Sequence, residues 1–232
     1  MPTVMIFNQD SGRMERYERD WDAPMPYNAG RTLTVREFRG SSCSPLLWSD
    51  RRTMEAWNRT RAAYGRGIYV GAAFNRIWEG GHAGQSHHYA GAAFCVGQDL
   101  TAEQRAELRG AAVRSRDWVD VEPAESNPGR VCFDRRFLPP ACETGGYPAL
   151  REGGRGNYVL ILQDALFTLG YTGSGLDGVF GPGTKAALIR YQQDNGLFPD
   201  GVAGCLTWTK LTGQTAGIGA RRTTVAPCYG SM

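Results

Sequence analysis

DGVFGPGT at 177–184 returns 23 residues later as DGVAGCLT at 200–207, a repeat of the form D-G-V-x-G-x-x-T. In each copy the Asp-Gly pair makes a turn that needs positive φ at the glycine, and the final threonine is expected to cap a helix. The first copy leads into 184–195, where Ala187, Leu188 and Tyr191 stand at helical spacing before Gly196. A longer helix precedes the repeat, with Val159, Leu162, Leu166 and Leu169 on one face between Tyr158 and Gly170. One helix followed by two turn-and-helix units predicts an all-α three-helix domain over 156–213. Pro139, Pro140, Gly145, Gly146, Pro148, Gly153, Gly154 and Gly156 mark a boundary before it, with a linker at 141–155. Residues 214–232, rich in Gly, Thr and Arg, are expected to form a C-terminal tail.

Residues 1–140 read differently. VMIF at 4–7, LTV at 33–35, IYVGAAF at 68–74 and VDVEP at 119–123 have the β-branched and aromatic content of strands. A helix is predicted from Ser49 to Ala63, capped by Asp50, and another from Thr101 on the capping box Thr101-x-x-Gln104. Mixed strands and helices predict an α+β domain.

Charge narrows the partners. Against 26 Lys and Arg stand 23 Asp and Glu, a net +3 too weak for a nucleic-acid binder. No apolar run approaches the roughly 18 residues of a membrane span, and the start MPTVMIFNQD lacks the features of a classical signal peptide. Six cysteines, at 43, 95, 132, 142, 205 and 228, allow 15 pairings. A monomer is expected.

Residues 150–211 closely resemble the bacterial type 1 peptidoglycan-binding domain. The matching elements are G-x-x-V-x-x-L-Q, L-G-Y, D-G-x-F-G-x-x-T, a Tyr-Gln pair, G-L-x-x-D-G and T-W-x-x-L. The resemblance implies peptidoglycan, glycan or stem peptide, as partner. Tyr171, Phe180, Tyr191 and Trp208 are candidates to stack on it, with core packing as the alternative use of aromatics in so small a domain.

In the first region all three histidines fall within seven residues, at 82, 87 and 88, and the string continues through Gly91, Ala93 and Cys95. It resembles the S-x-H-x-x-G-x-A-x-D signature of the zinc D-alanyl-D-alanine carboxypeptidase superfamily, which shares its fold with the hedgehog signalling domain. Ser86, His88, Gly91 and Ala93 match, and Cys95 stands at the aspartate. The family's later V-H-x-D is similar to Val131-Cys132-Phe133-Asp134, with Cys132 at the histidine. The resemblance implies a small antiparallel sheet with helices, and a zinc site whose ligands would be His88, Cys95 and Cys132. Thiolates suit zinc. Ligands of one ion also stand about as close as disulfide partners, so a Cys95–Cys132 bridge is the second reading and two idle thiols the third. Glu122 and Asp134 are the acids available for proton transfer, and Arg76 lies where the family places a basic residue for substrate carboxylate or oxyanion. A bridge between Cys142 and Cys205 would staple the two domains.

The combined expectation is a cell-wall protein, either a zinc-dependent stem-peptide hydrolase with a His/Cys/Cys site or an inactive wall-binding protein with a disulfide in place of the metal. Cell wall or extracellular space, with a phage or spore association, is the expected location.

Overall fold

The computed structural model describes residues 1–136, 138–173, 175–216 and 218. Most of the tail expected at 214–232 lies outside them. The chain divides into two compact units: Met1–Ser41, Pro45–Phe74 and His87–Pro139 form the first, while Ser42–Ser44, Asn75–Ser86 and the described residues from Pro140 onward form the second.

The first unit is α+β. Strand β1 (Thr3–Asn8) pairs antiparallel with β2 (Arg13–Glu18) and parallel with β3 (Leu46–Asp50). The predicted LTV strand is absent. Thr34 instead accepts from the Glu37 amide as N-cap of helix α1 (Val35–Arg39), which draws Val35 into the helix. Helix α2 (Arg51–Tyr64) follows β3 directly, and its N-cap Asp50 accepts from the Thr53 amide at 2.9 Å. Strand β4 (Val70–Ala72), strand β5 (Ala93–Val96), helix α3 (Ala102–Ser115) and strands β6 (Asp120–Val121) and β7 (Val131–Asp134) complete the unit. Its second sheet is wholly antiparallel, in the order β4-β5-β7-β6. The predicted Thr101–Gln104 capping box opens α3. The core is aromatic: Phe94 of β5 touches Phe38, Trp57, Trp118 and Phe133 at centroid distances of 4.7 to 6.1 Å.

The second unit has a short hairpin, β8 (Pro140–Cys142) with β9 (Gly145–Pro148), and three helices, α4 (Asn157–Thr168), α5 (Pro182–Asp194) and α6 (Cys205–Thr215). The repeat builds its two turns alike. Gly178 and Gly201 take φ of 69° and 70°, as the Asp-Gly reading requires. At each turn a buried glutamine holds the loop. Gln163 Nε2 donates to Asp177 (2.7 Å), the Val179 carbonyl (3.1 Å) and Thr184 (3.1 Å), and its Oε1 accepts from the Gly178 amide. Gln192 repeats the pattern with Asp200 (2.9 Å), the Val202 carbonyl (3.0 Å), Thr207 (3.2 Å) and the Gly201 amide. The expected threonine caps are thereby corrected: Gly181 and Gly204 occupy the N-caps, and Thr184 and Thr207, one turn inside, face the glutamines. No helix among the described residues is long and apolar enough to cross a membrane.

Candidate functional site

Strands β5 and β7 pair in the register Phe94↔Phe133, Cys95↔Cys132. Side chains alternate along a strand, so once the two phenylalanines enter the aromatic core the two cysteines share the opposite face. Their Cα atoms are 4.1 Å apart and their sulfurs are joined in a disulfide.

His88 stands over this bridge on a 3-10 turn, His87–Ala90. Its Nδ1 lies 3.2 Å from the Ala73 carbonyl oxygen, which can only accept, so Nδ1 carries the proton and Nε2 is left facing Cys95 Sγ at 3.5 Å. Two bonds fasten the turn to β3: Trp48 Nε1 donates to the Tyr89 carbonyl at 2.8 Å, and Ser49 Oγ to the Gly91 carbonyl at 2.6 Å. Gly91 has φ 62°, and a Cβ there would overlap the Trp48 carbonyl oxygen. The glycine of the signature is thus demanded by backbone approach.

Glu122 lies on the other side of the bridge. Its amide donates to the Cys132 carbonyl, and its Oε2 accepts at 2.8 Å from Asn127 Nδ2, which also lies 3.6 Å from Cys132 Sγ. Asn127 was not singled out from sequence; its only signal is its place before the strand that carries Cys132. Asp134 is paired with Arg136, which also reaches Asp120. His87 is buried, and burial pushes its pKa below 6.5, with Asp134 pulling the other way.

The zinc expectation fails on the chemistry of these donors. A metal-binding cysteine must be a thiolate, and both sulfurs are committed to each other. That leaves His88 without the two anionic partners assigned to it. Among the described residues no group of three or more His, Cys, Asp or Glu could hold a metal ion. The His/Cys/Cys zinc site, the metallopeptidase reading built on it and zinc as cofactor are therefore withdrawn in favour of the disulfide.

Arg76 lies elsewhere. It belongs to the second unit, where Nε and Nη2 grip Asp164 of α4 at 2.7 and 2.5 Å and Nη1 donates to Ser44. Burial pushes the Asp164 carboxyl up while Arg76 draws it down. Nothing in the sequence marks an ion pair across 88 residues.

Of the four aromatic candidates for peptidoglycan, Phe180, Tyr191 and Trp208 are fully buried, and Trp208 Nε1 donates to the Pro148 carbonyl at 2.8 Å. Tyr171 is half-buried, edge-on to Tyr191. Among the described residues of this unit, the large apolar side chains that are exposed are instead Phe167, Phe198 and Leu206. The Cys142–Cys205 bridge exists, yet both ends lie in the second unit, so it ties the β8–β9 hairpin to α6 rather than stapling two domains.

An α+β unit closed by a cross-strand disulfide is thus followed by three helices set on two glutamine-held turns. Residues 155–211 match the family described as "Putative peptidoglycan binding domain", and they form a peptidoglycan-binding domain. The chain is similar to an "Uncharacterized protein in bpoA1 3'region" of Kitasatospora aureofaciens, 44% identical over 77 residues, 31% of this chain and 65% of that one. It is similar to a zinc D-Ala-D-Ala carboxypeptidase of Streptomyces albus G, 46% identical over 66 residues, 27% of this chain and 25% of the enzyme. A spore cortex-lytic enzyme of Oceanobacillus iheyensis is 42% identical over 62 residues, 27% of this chain and 22% of the enzyme. Among solved structures, a peptidoglycan-binding protein from Clostridioides difficile in complex with glutamine hydroxamate is 38% identical, with TM-score 0.29, over 29% of this chain and 42% of that one. The SleB N-terminal domain is 39% identical, with TM-score 0.28, over 29% of this chain and 92% of that domain. The chain spans 65%, 25% and 22% of the three protein relatives.

Proposed function

We propose that this protein attaches to peptidoglycan through its C-terminal unit, and that its first unit is a carboxypeptidase-like domain in which a disulfide replaces the metal. The observation that carries this reading is the Cys95–Cys132 bridge beside His88, in a chain that holds a peptidoglycan-binding domain. The antiparallel β4-β5-β7-β6 sheet supports kinship of the first unit with the zinc D-alanyl peptidases. The bridge supplies neither the charge nor the open coordination position that would activate water. The role is adhesion to the wall.

Every cysteine among the described residues is disulfide-bonded, which supports a wall-facing, oxidising location. A spore association rests on the partial likeness to the cortex-lytic enzyme.

Two measurements test the proposal. The purified protein is expected to sediment with insoluble peptidoglycan sacculi, and to release no D-alanine or cleaved stem peptide from them, with or without added Zn²⁺. Failure to sediment removes the binding assignment. Zinc-dependent release by the oxidised protein removes the adhesion-only one.

A further inference from the structure

The second repeat turn carries two apolar side chains that its own construction does not use. Phe198 is 82% exposed and Leu206 75% exposed. Both line one cleft of about 220 Å³ whose wall also includes Leu197, Asp200, Val202 and Thr207. Single exposed apolar residues need no explanation, but two facing one cleft forgo burial worth about 1.5–3 kcal/mol each.

The internal repeat supplies the control. Aligned through D-G-V-x-G-x-x-T, Phe198 corresponds to Gly175 and Leu206 to Gly183. The first turn is held by the same glutamine-centred bonds as the second, with glycine at both places. The turn therefore folds without a side chain at either position. Phe198 and Leu206 are additions to a scaffold that is complete without them, placed together on one of its two copies.

We propose that the Phe198–Leu206 cleft is where the domain grips the wall polymer, and that it takes the glycan strand: a pyranose ring laid on the Phe198 face, with an acetamido methyl against Leu206. This rests on the peptidoglycan-binding reading above and names its site. An aromatic face suits the C–H face of a sugar, and apolar contact at a cleft floor excludes water from the hydroxyl contacts at its rim. Asp200 lines the cleft and is exposed; its Oδ1 accepts from Gln192 and the Val202 amide, and its other carboxylate oxygen offers an acceptor to hydroxyls. The lining favours glycan over stem peptide. Its one charged side chain among the described residues is a carboxylate, Asp200, with no cation to meet the carboxylates of a stem peptide.

The test is sedimentation of the full chain with sacculi, comparing wild type with F198A, L206A, the double variant, and F167A as an exposed aromatic outside the cleft. The double variant is expected to bind at least about tenfold more weakly, as for a contact hot spot, while F167A binds like wild type. All three side chains changed are at the surface, and circular dichroism with an unchanged melting temperature verifies folding. N-acetylglucosamine tetramer is expected to displace the wild type, and free stem pentapeptide to leave it bound. Unchanged binding by the double variant, with wild type still sedimenting, overturns the cleft and spares the peptidoglycan reading. Wild type failing to sediment overturns that reading itself. Displacement by pentapeptide and not by the sugar overturns the glycan assignment.

Discussion

Gln192 is 1% exposed and satisfies four groups of one turn: Asp200, the Val202 carbonyl, Thr207 and the Gly201 amide. Substituting alanine leaves buried donors and acceptors unmet, so Q192A is expected to cost about 2–3 kcal/mol, read as a lower urea midpoint. Q192E, which keeps the volume but can no longer donate to the Val202 carbonyl, is expected to rescue little of that loss. If Q192A proves as stable as wild type, the glutamine is not what holds the turn. His87 makes a pH prediction. Its pKa is lowered by burial, so the unfolded chain takes up the proton first as pH falls below 6.5. Stability from neutral His87 is therefore whole above that value and is lost as pH drops from it towards the lower folded pKa. H87Q is expected to show a smaller fall in urea midpoint than wild type between pH 7.5 and pH 5. An equal fall would locate the acid sensitivity elsewhere.

At the scale of elements, the strand pair β5–β7 is tied by a bridge closing 37 residues and the hairpin by one closing 63. Loop closure in the unfolded chain predicts that replacing Cys95 and Cys132 by alanine costs about 3–4 kcal/mol, and Cys142 and Cys205 about 4 kcal/mol. Denaturant titration of the two double variants measures both, and a loss below 1 kcal/mol in either would show that bridge to be incidental. The elements were legible where a side chain and its own backbone decide: the Asp50 and Thr101 caps lie within three residues of what they bind. LTV at 33–35 misled because β-branched content counts for less than the cap that Thr34 provides. The threonines of the repeat misled because their partners, Gln163 and Gln192, lie 21 and 15 residues back on other helices. Phe94-Cys95 and Cys132-Phe133 are mirror images in sequence, and antiparallel pairing sets like against like. From sequence, the resemblance to the zinc-peptidase signature is what sets Cys95 beside Cys132, yet closeness alone does not choose between a shared metal and a shared bond.

At the scale of the whole molecule, the matched domain at 155–211 is smaller than the unit that folds around it. Ser42–Ser44 and Asn75–Ser86 belong to that unit, and what they contribute is chemical as well as steric. Asp164, 1% exposed on α4, meets the Arg76 guanidinium in two bonds, and Arg76 in turn meets Ser44. Gln85 accepts from the Tyr147 amide, and Tyr147 OH donates to the Ser86 carbonyl at 2.8 Å. A fragment beginning at Pro140 has none of these partners and keeps a buried carboxylate without its cation. Breaking a buried pair from one side costs about 3–5 kcal/mol, because the remaining charge stays desolvated. R76A in the full chain is expected to lose about that much. Its stability is expected to recover on acidification, since an unpaired Asp164 folds more readily once protonated: a carboxyl raised by burial binds its proton in the folded state first, and stability then grows as pH falls through the folded pKa. Replacing both partners, as in R76M/D164L, removes the charge problem and is expected to stand well above R76A at pH 7. Urea titrations of the three proteins at pH 7 and pH 5 decide it. If R76A is as stable as wild type at pH 7, the segment 75–86 merely covers the helices and the binding unit is complete without it.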